Sequence, residues 1–423
     1  MQFIDGGVTA PLGFTANGML CGIKAGRTKN DTALIYSEKP CAAAGVFTQN
    51  RVKAESVKLT KKNIANGVAQ AVIANSGNAN ACTGEEGARN ALRMAQAVSR
   101  VLGVPADDVI VCSTGVIGQQ LNVAVIEKNS DALAKGLSKK GHEEARVAIM
   151  TTDTHYKECA LETTIGGKTV HIGTMCKGSG MIHINLGTML GFITTDCAIT
   201  AAMLEKALRS SIAGTYNCVS VDGDTSTNDT LTILANGMAG NKMIDSDGAD
   251  YNAFLEALNT LNTQMARKIA GDGEGADRLI ECNVSGAKDV PTARALAKSV
   301  ISSSLVKAAF FGKDANWGRI LCAMGYSGEV FDPDKTSVSF SSVHGEKRPG
   351  ATDAIGKAEG NAESIMVFDH GVPLSFDEDR AKKILSEDAV TINVTCEDGK
   401  ACGTAWGCDL TYDYVKINGD YRT

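Results

Sequence analysis

The segment from Met175 to Asp196 lies near the middle of the 423-residue chain, with halves of similar size on either side, and constrains the chain more than any other stretch. A glycine turn, Gly178-Ser179-Gly180, leads into a mostly apolar run that is broken at one point by Gly187-Thr188. Gly187 has no Cβ, so its carbonyl is open to close approach and its backbone is free to take up a strained geometry. The Thr188 hydroxyl could attack that carbonyl and open the chain, leaving the new α-amine of Thr188 beside its own hydroxyl. An α-amine titrates near ~7.7–8.0, so part of it is neutral at cellular pH and can act as the base for a threonine nucleophile. Gly-Thr is equally what an ordinary strand threonine looks like. The surroundings have to decide.

Length predicts two or three domains, or one large α/β unit with a smaller lobe. Forty-two basic against 48 acidic side chains leave a net charge of −6, no electrostatic footprint for nucleic acid or an anionic membrane. Aromatic residues make up 5%, too few for a base-stacking platform. Forty-five glycines against seven prolines point to many tight turns. The N-terminus lacks a basic region followed by an apolar run, and no apolar run approaches the ~20 residues that span a bilayer. The thirteen cysteines form no Cys-x-x-Cys pair and the six histidines no His-x-x-x-His pair. They predict buried reduced thiols in a cytoplasmic protein that uses no metal.

Along the chain, Leu34–Ser37 and Gly45–Thr48 read as strands, as does Ala71–Asn75, which runs into the polar turn Asn75–Asn80. A capping box, Thr83 with Glu86, predicts a helix with an inward stripe of Ala88, Leu92, Ala95, Val98 and Leu102. Val109–Cys112 is a strand ending in Ser113-Thr-Gly-Val-Ile-Gly118, a turn able to aim successive backbone N–H groups at one spot. A plain strand-to-helix turn has the same look, and neither a dinucleotide fingerprint nor a P-loop is present. Ala148–Asp153 and Thr163–Met175 read as strands, the latter folded through Gly166-Gly167, and Thr200 as the cap of a helix. Asp222, Asp224 and Ser226 imitate the start of a calcium loop, but Ile233 stands where its glutamate belongs. The expectation is a hydrogen-bonded loop bracing a site. The helix Tyr251–Ile269 ends in Gly271-Asp-Gly-Glu-Gly-Ala276, which presents one acid, Glu274. Strands follow at 336–343, 364–369 and 390–396, with a short charged helix at Glu378–Leu385 and a polar tail of the kind that usually frays.

Taken together, Lys177–Ile182 with Thr188-Met-Leu190 and Thr195-Asp196 resemble the nucleophile segment of the ornithine acetyltransferase (ArgJ) family. These are the glutamate N-acetyltransferases of the acetyl-cycle route to arginine. The resemblance continues through Gly6–Pro11, Asn75–Gly84, Ser113–Gly115, Thr151–Thr154, Ser220–Asp229, Asp272–Glu274 and Asn418–Thr423, so it spans the chain. It implies an α/β (α+β) ArgJ-type sandwich with N-terminal-nucleophile-like chemistry and a smaller C-terminal lobe, roughly 284–400. It also implies self-cleavage between Gly187 and Thr188 into an α chain, 1–187, and a β chain, 188–423, assembled as a heterotetramer of two of each. By matched motif, Thr188 would be the nucleophile, and Thr114 and Gly115 the oxyanion hole. Thr151, Lys177, Thr188, Glu274, Asn418 and Thr423 would bind the substrates, N2-acetylornithine and glutamate. No cofactor is implied, and acetyl-CoA is left open as a co-substrate.

Before the threonine the family commonly has Ala-Pro-Asn-Met-Ala, where this chain has His183-Ile-Asn-Leu-Gly187. Ile184 removes the φ restraint of proline, and His183 is read as structural. The competing expectations are an acyl-hydrolysing aminopeptidase or amidase on the same scaffold, or an uncut binding protein.

Overall fold

The computed structural model describes residues 1–24, 26–183, 189–349 and 361–419. The chain divides into two compact units, the first made of Met1–Gly178, Asn185–Ala213 and Thr225–Met265, the second of Ser179–Ile184, Gly214–Asp224 and Ala266–Thr423.

The first half of the chain contributes β1 (Gln2–Ile4), β2 (Phe14–Met19), β3 (Thr32–Phe47), β4 (Val68–Asn78), β5 (Val109–Val116), β6 (Lys157–Ile165) and β7 (Lys168–Lys177). The short β8 (Ile182–His183), then β9 (Leu190–Thr195), β10 (Ser220–Thr225) and β11 (Thr230–Ala235) follow. In the first unit the hydrogen-bonded order is β1-β6-β7-β9-β11-β3-β4-β5, with β2 on the side of β3. β9 therefore sits inside the sheet, antiparallel to β7 and parallel to β11 along its whole length. The β6–β7 hairpin turns on Gly166 and Gly167, both at positive φ, as a two-residue connection requires.

The two expected strands on either side of Lys39-Pro40 are one strand, β3, whose pairing with β4 slips between Tyr36 and Cys41. Glu38, Lys39 and Pro40 are exposed at that point, a kink where a proline is tolerated because no ladder bond is asked of it. Beyond the kink β3 continues antiparallel to β4 in a shifted register. Ala33, Ile35, Val72, Ala74, Ile110 and Cys112 from one side of it share a core with Ala43, Met175, Leu190, Phe192 and Leu234 from the other. Alternate residues of β4 and β5 (Ala71, Ile73, Val109, Val111) point the other way, onto helices α2 (Gly84–Leu102) and α3 (Val123–Lys135), which follow α1 (Glu55–Asn63) in the chain. Both faces of these strands are thus covered, and the unit is a layered α/β sandwich.

Three local expectations differ from the structure. The inward stripe of α2 is Ala91, Met94, Ala95 and Val98, with Leu92 exposed. The cap is also different: the Thr83 hydroxyl donates to Asn80 Oδ1 at 2.8 Å rather than accepting a helix N–H. Ala148–Asp153 is no strand; it is the end of α4 (His142–Ala148) and a turn. Thr200 caps α5 (Ala201–Ile212) through Met203 N–H, as its position before the apolar stripe predicts.

The long helix α6 spans Ala249–Gly271. The second unit holds a six-stranded sheet of β12 (Leu279–Ala287), β13 (Ser337–Val343), β14 (Ala362–Asp369), β15 (Val372–Pro373), β16 (Ala389–Thr395) and β17 (Ala401–Cys408), ordered β15-β14-β13-β16-β12-β17. Helix α7 (Val290–Ser302), capped by Asp289, packs on β12 and β17. Helices α8 (Ser304–Gly312), α9 (Trp317–Gly325) and α10 (Glu378–Ile384) follow, and the described part of the tail forms α11 (Tyr412–Gly419). No single described helix is long and apolar enough to cross a bilayer.

Candidate active site

Each unit carries part of the expected constellation. In the first, Lys177 at the end of β7 pairs with Leu190 at the head of β9, and Leu190 with Thr230 at the head of β11. The Thr230 N–H donates to the Met189 carbonyl at 2.8 Å. Gly187, Thr188 and Thr423 lie outside the described residues. Met189, the residue after Thr188, is buried and held at the head of an interior strand.

β5 does not stop at Cys112 but runs on through Thr114 and Gly115, where its pairing with β4 becomes irregular. Gly115 has φ +136, and a Cβ there would stand 2.3 Å from the carbonyl carbon of Gly77. Only glycine fits, and its N–H sits where two parallel strands lose register. Asn228, just ahead of β11, donates from Nδ2 to the carbonyls of Ala79 (2.6 Å) and Ser113 (2.7 Å). Ser113, the residue before Thr114 and Gly115 in β5, is thereby hydrogen-bonded to the segment that leads into β11, whose head holds Met189.

Asp229 follows, fully buried, with one carboxyl oxygen unpartnered. Burial pushes its carboxyl well above the usual carboxylate range, against the downward pull of Ser226, Lys177 and Thr48.

Thr151 lies on the turn after α4, and its N–H donates to Asp153 Oδ2 at 3.1 Å. Asp153 Oδ1 accepts from the Lys157 ammonium at 2.7 Å and from Gly178 N–H at 2.8 Å. Burial would raise the Asp153 carboxyl, but Lys157 and Lys177 outweigh it and hold the group strongly below its ordinary value. One carboxylate therefore ties the Thr151 turn to the end of the strand bearing Lys177. Sequence reasoning missed Asp153, Lys157 and Asn228 as individual contributors. The only signal was that Asp153 and Asn228 fall inside matched motifs, with Lys157 four residues beyond Asp153.

In the second unit, the Ser179 hydroxyl donates to the Asp272 carbonyl at 2.6 Å, and Glu274 N–H donates to the Ser179 carbonyl at 3.0 Å. Glu274 is buried, and Asn418 of α11 donates its amide to Glu274 Oε2 at 2.7 Å. A Cβ on Gly180 would lie 2.2 Å from the Glu274 carboxyl carbon, so that glycine leaves the room the acid occupies. Asp222 is the brace the sequence suggested. Its carboxylate accepts from Met181 N–H (2.6 Å) and Ile182 N–H (2.8 Å), where Met181 has φ +56. His183 Nδ1 is 3.0 Å from Ser220 Oγ. Burial and the charge of Lys298 push the imidazole down to about 4, against Asp222, so it is neutral at pH 7. That suits the structural role expected of it.

A groove of about 1040 Å3 in the first unit, between α1 and α5, contains none of the expected site residues.

The first unit sets the buried Asp153 and Asp229 beside strand ends, and the second sets the buried Glu274 on a glycine turn. A model of the ArgJ family matches residues 15–423. The "Arginine biosynthesis bifunctional protein ArgJ" of Symbiobacterium thermophilum is 48% identical, and that of Caldanaerobacter subterraneus subsp. tengcongensis 47%, each covering 100% of both chains. Among solved structures, the Bacillus halodurans protein of the same name is 39% identical with a TM-score of 0.47, covering 54% of this chain and 97% of its own. The Mycobacterium tuberculosis ornithine acetyltransferase complexed with ornithine is 41% identical with a TM-score of 0.41, covering 44% of this chain and 98% of its own. The chain belongs to the ArgJ family.

Proposed function

We propose that this enzyme transfers the acetyl group of N2-acetylornithine to glutamate through an acetyl-Thr188 intermediate, after opening its own chain between Gly187 and Thr188. Full-length family membership supports the reading. The observation that carries it is the Asn228 bridge between the Thr114–Gly115 turn and the strand head that holds Met189.

In the first half-reaction the Thr188 hydroxyl attacks the acetyl carbonyl carbon while its α-amine takes the hydroxyl proton. The negative charge formed on the carbonyl oxygen is held by the Gly115 N–H and the Thr114 hydroxyl, each donor contributing ~10²–10³ in rate. The C–N bond breaks, the proton passes to the departing nitrogen, and ornithine leaves an acetyl ester on Thr188. The amine of glutamate then attacks the ester, the threonine oxygen regains a proton, and N-acetylglutamate departs. Lys177 holds the α-carboxylate as a point charge, Glu274 pairs with an ammonium, and Thr151, Asn418 and Thr423 complete the contacts. No metal enters these steps, and acetyl-CoA serves as a second acetyl donor.

The two chains, 1–187 and 188–423, stay together after cleavage because β9 lies between β7 and β11 in one sheet. We assign the assembly as two of each chain, working in the cytoplasm. Intact mass spectrometry after incubation with acetylornithine tests the whole reading. Two chains are expected, the second beginning at Thr188 and gaining one acetyl group, and glutamate should discharge it. An active, single uncut chain with no acetyl group at Thr188 would overturn the proposal.

A further inference from the structure

We infer that Asn228 is a positioning residue for acyl transfer, aligning the Thr114–Gly115 turn with the strand head at Met189; the inference rests on the oxyanion-hole role given to that turn. Asn228 is buried and touches no expected substrate-binding residue among the described ones. Its amide nitrogen has two hydrogens, and both are used on backbone carbonyls of two different segments, Ala79 and Ser113. Its amide oxygen accepts from the Thr227 hydroxyl at 2.6 Å, which fixes the orientation of the amide. Its backbone continues directly into β11, whose Thr230 N–H holds Met189.

Ser113 immediately precedes Thr114. Ser113, Thr114 and Gly115 pair in step with Asn75, Ser76 and Gly77 of β4, and the register slips just beyond them, at Asn78. The Asn228 amide adds a hold from outside the two strands, with one hydrogen on the Ser113 carbonyl ahead of the slip and the other on the Ala79 carbonyl just past it. Oxyanion stabilisation depends on donors held within about 0.5 Å of the productive geometry, so a hold on either side of the slip bears on the reaction. Asn228 acts on the reaction through those donors without touching the substrate.

The inference is tested with the full-length, processed protein carrying Asn228→Asp. That substitution keeps the shape, removes both donors and sets a carboxylate against two carbonyls. Release of ornithine and acetylation of glutamate are followed separately. Because both half-reactions pass through an oxyanion at the same place, kcat should fall by a similar factor in each, roughly 10- to 100-fold, below the full effect of losing a donor. KM for each substrate should hold. Amide hydrogen exchange over 113–116 should accelerate while β9 keeps its protection.

If the variant does not accumulate folded, Asn228→Ser decides by the same ratios. A kcat per folded molecule equal to wild type overturns the inference, as does a loss confined to KM or to one half-reaction. Failure of the wild-type protein to transfer acetyl would instead overturn the function proposed above, and the exchange measurement would still report on the bridge.

Discussion

Asp153 offers the sharpest energetic test of how the first unit holds its substrate-binding residues. The substitution Asp153→Asn keeps the side-chain shape and removes the charge. It leaves the Lys157 ammonium, which is fully buried, without its carboxylate at 2.7 Å. It also weakens the acceptor for Gly178 N–H and Thr151 N–H. Removing one partner of a buried ion pair costs ~3–5 kcal/mol because the other charge stays buried without it. Replacing both, as in Asp153→Asn with Lys157→Met, should recover a large part of that loss, since the buried ammonium disappears as well.

Both tryptophans, Trp317 and Trp406, belong to the second unit, so their fluorescence would miss the effect. The transition of the first unit is followed by far-UV circular dichroism in urea. The sign with pH is fixed by the depressed carboxyl: its contribution is complete above the unfolded value of 3.8 and is lost as pH falls below that through the lower folded value. A loss under ~1 kcal/mol for the single variant, or a double variant no better than the single, would refute the claim that one buried carboxylate organises this corner.

Other outcomes follow from the same geometry. Gly180→Ala should raise KM for acetylornithine by displacing Glu274, whose carboxyl carbon would stand 2.2 Å from the new Cβ; titrations of initial rate that leave KM unchanged would contradict this. Thr114→Ala should lower kcat ~10²–10³-fold with substrate binding retained, read by the same assay. His183→Gln should flatten the stability–pH curve measured by urea unfolding between 6.5 and about 4, where the unfolded imidazole takes up a proton that the folded one refuses, so the wild type loses stability as pH falls through that window. Thr188→Ala should run as one uncut band on a denaturing gel and show no transfer.

The sequence determined what is local or patterned. Short apolar runs bounded by turn residues marked strands such as β4 and β5, the Gly166-Gly167 turn marked the hairpin, and Thr200 marked the start of α5, because each follows from chain sterics and hydrogen bonding within a few residues. The motifs picked out Thr114, Gly115, Thr151, Lys177, Glu274 and Asn418 as candidates, whose roles belong to the proposed function. The phase of α2 was not legible: two stripes of similar apolarity share that helix, and only the neighbouring β4 and β5 choose Ala91 and Met94 over Leu92. Nor was the continuity of β3 through Pro40, since a proline normally ends a strand unless a kink relieves it of its ladder bond. What tertiary structure alone decided is the bracing. Asn228 reaches Ala79 and Ser113 across 149 and 115 residues of sequence, and Asp153 reaches Gly178 across 25. A polar side chain shows in the sequence only that it needs partners. Which backbone groups are left unpaired for it depends on where β3 bends and where β4 and β5 lose register, and those are settled by the packing of the whole unit.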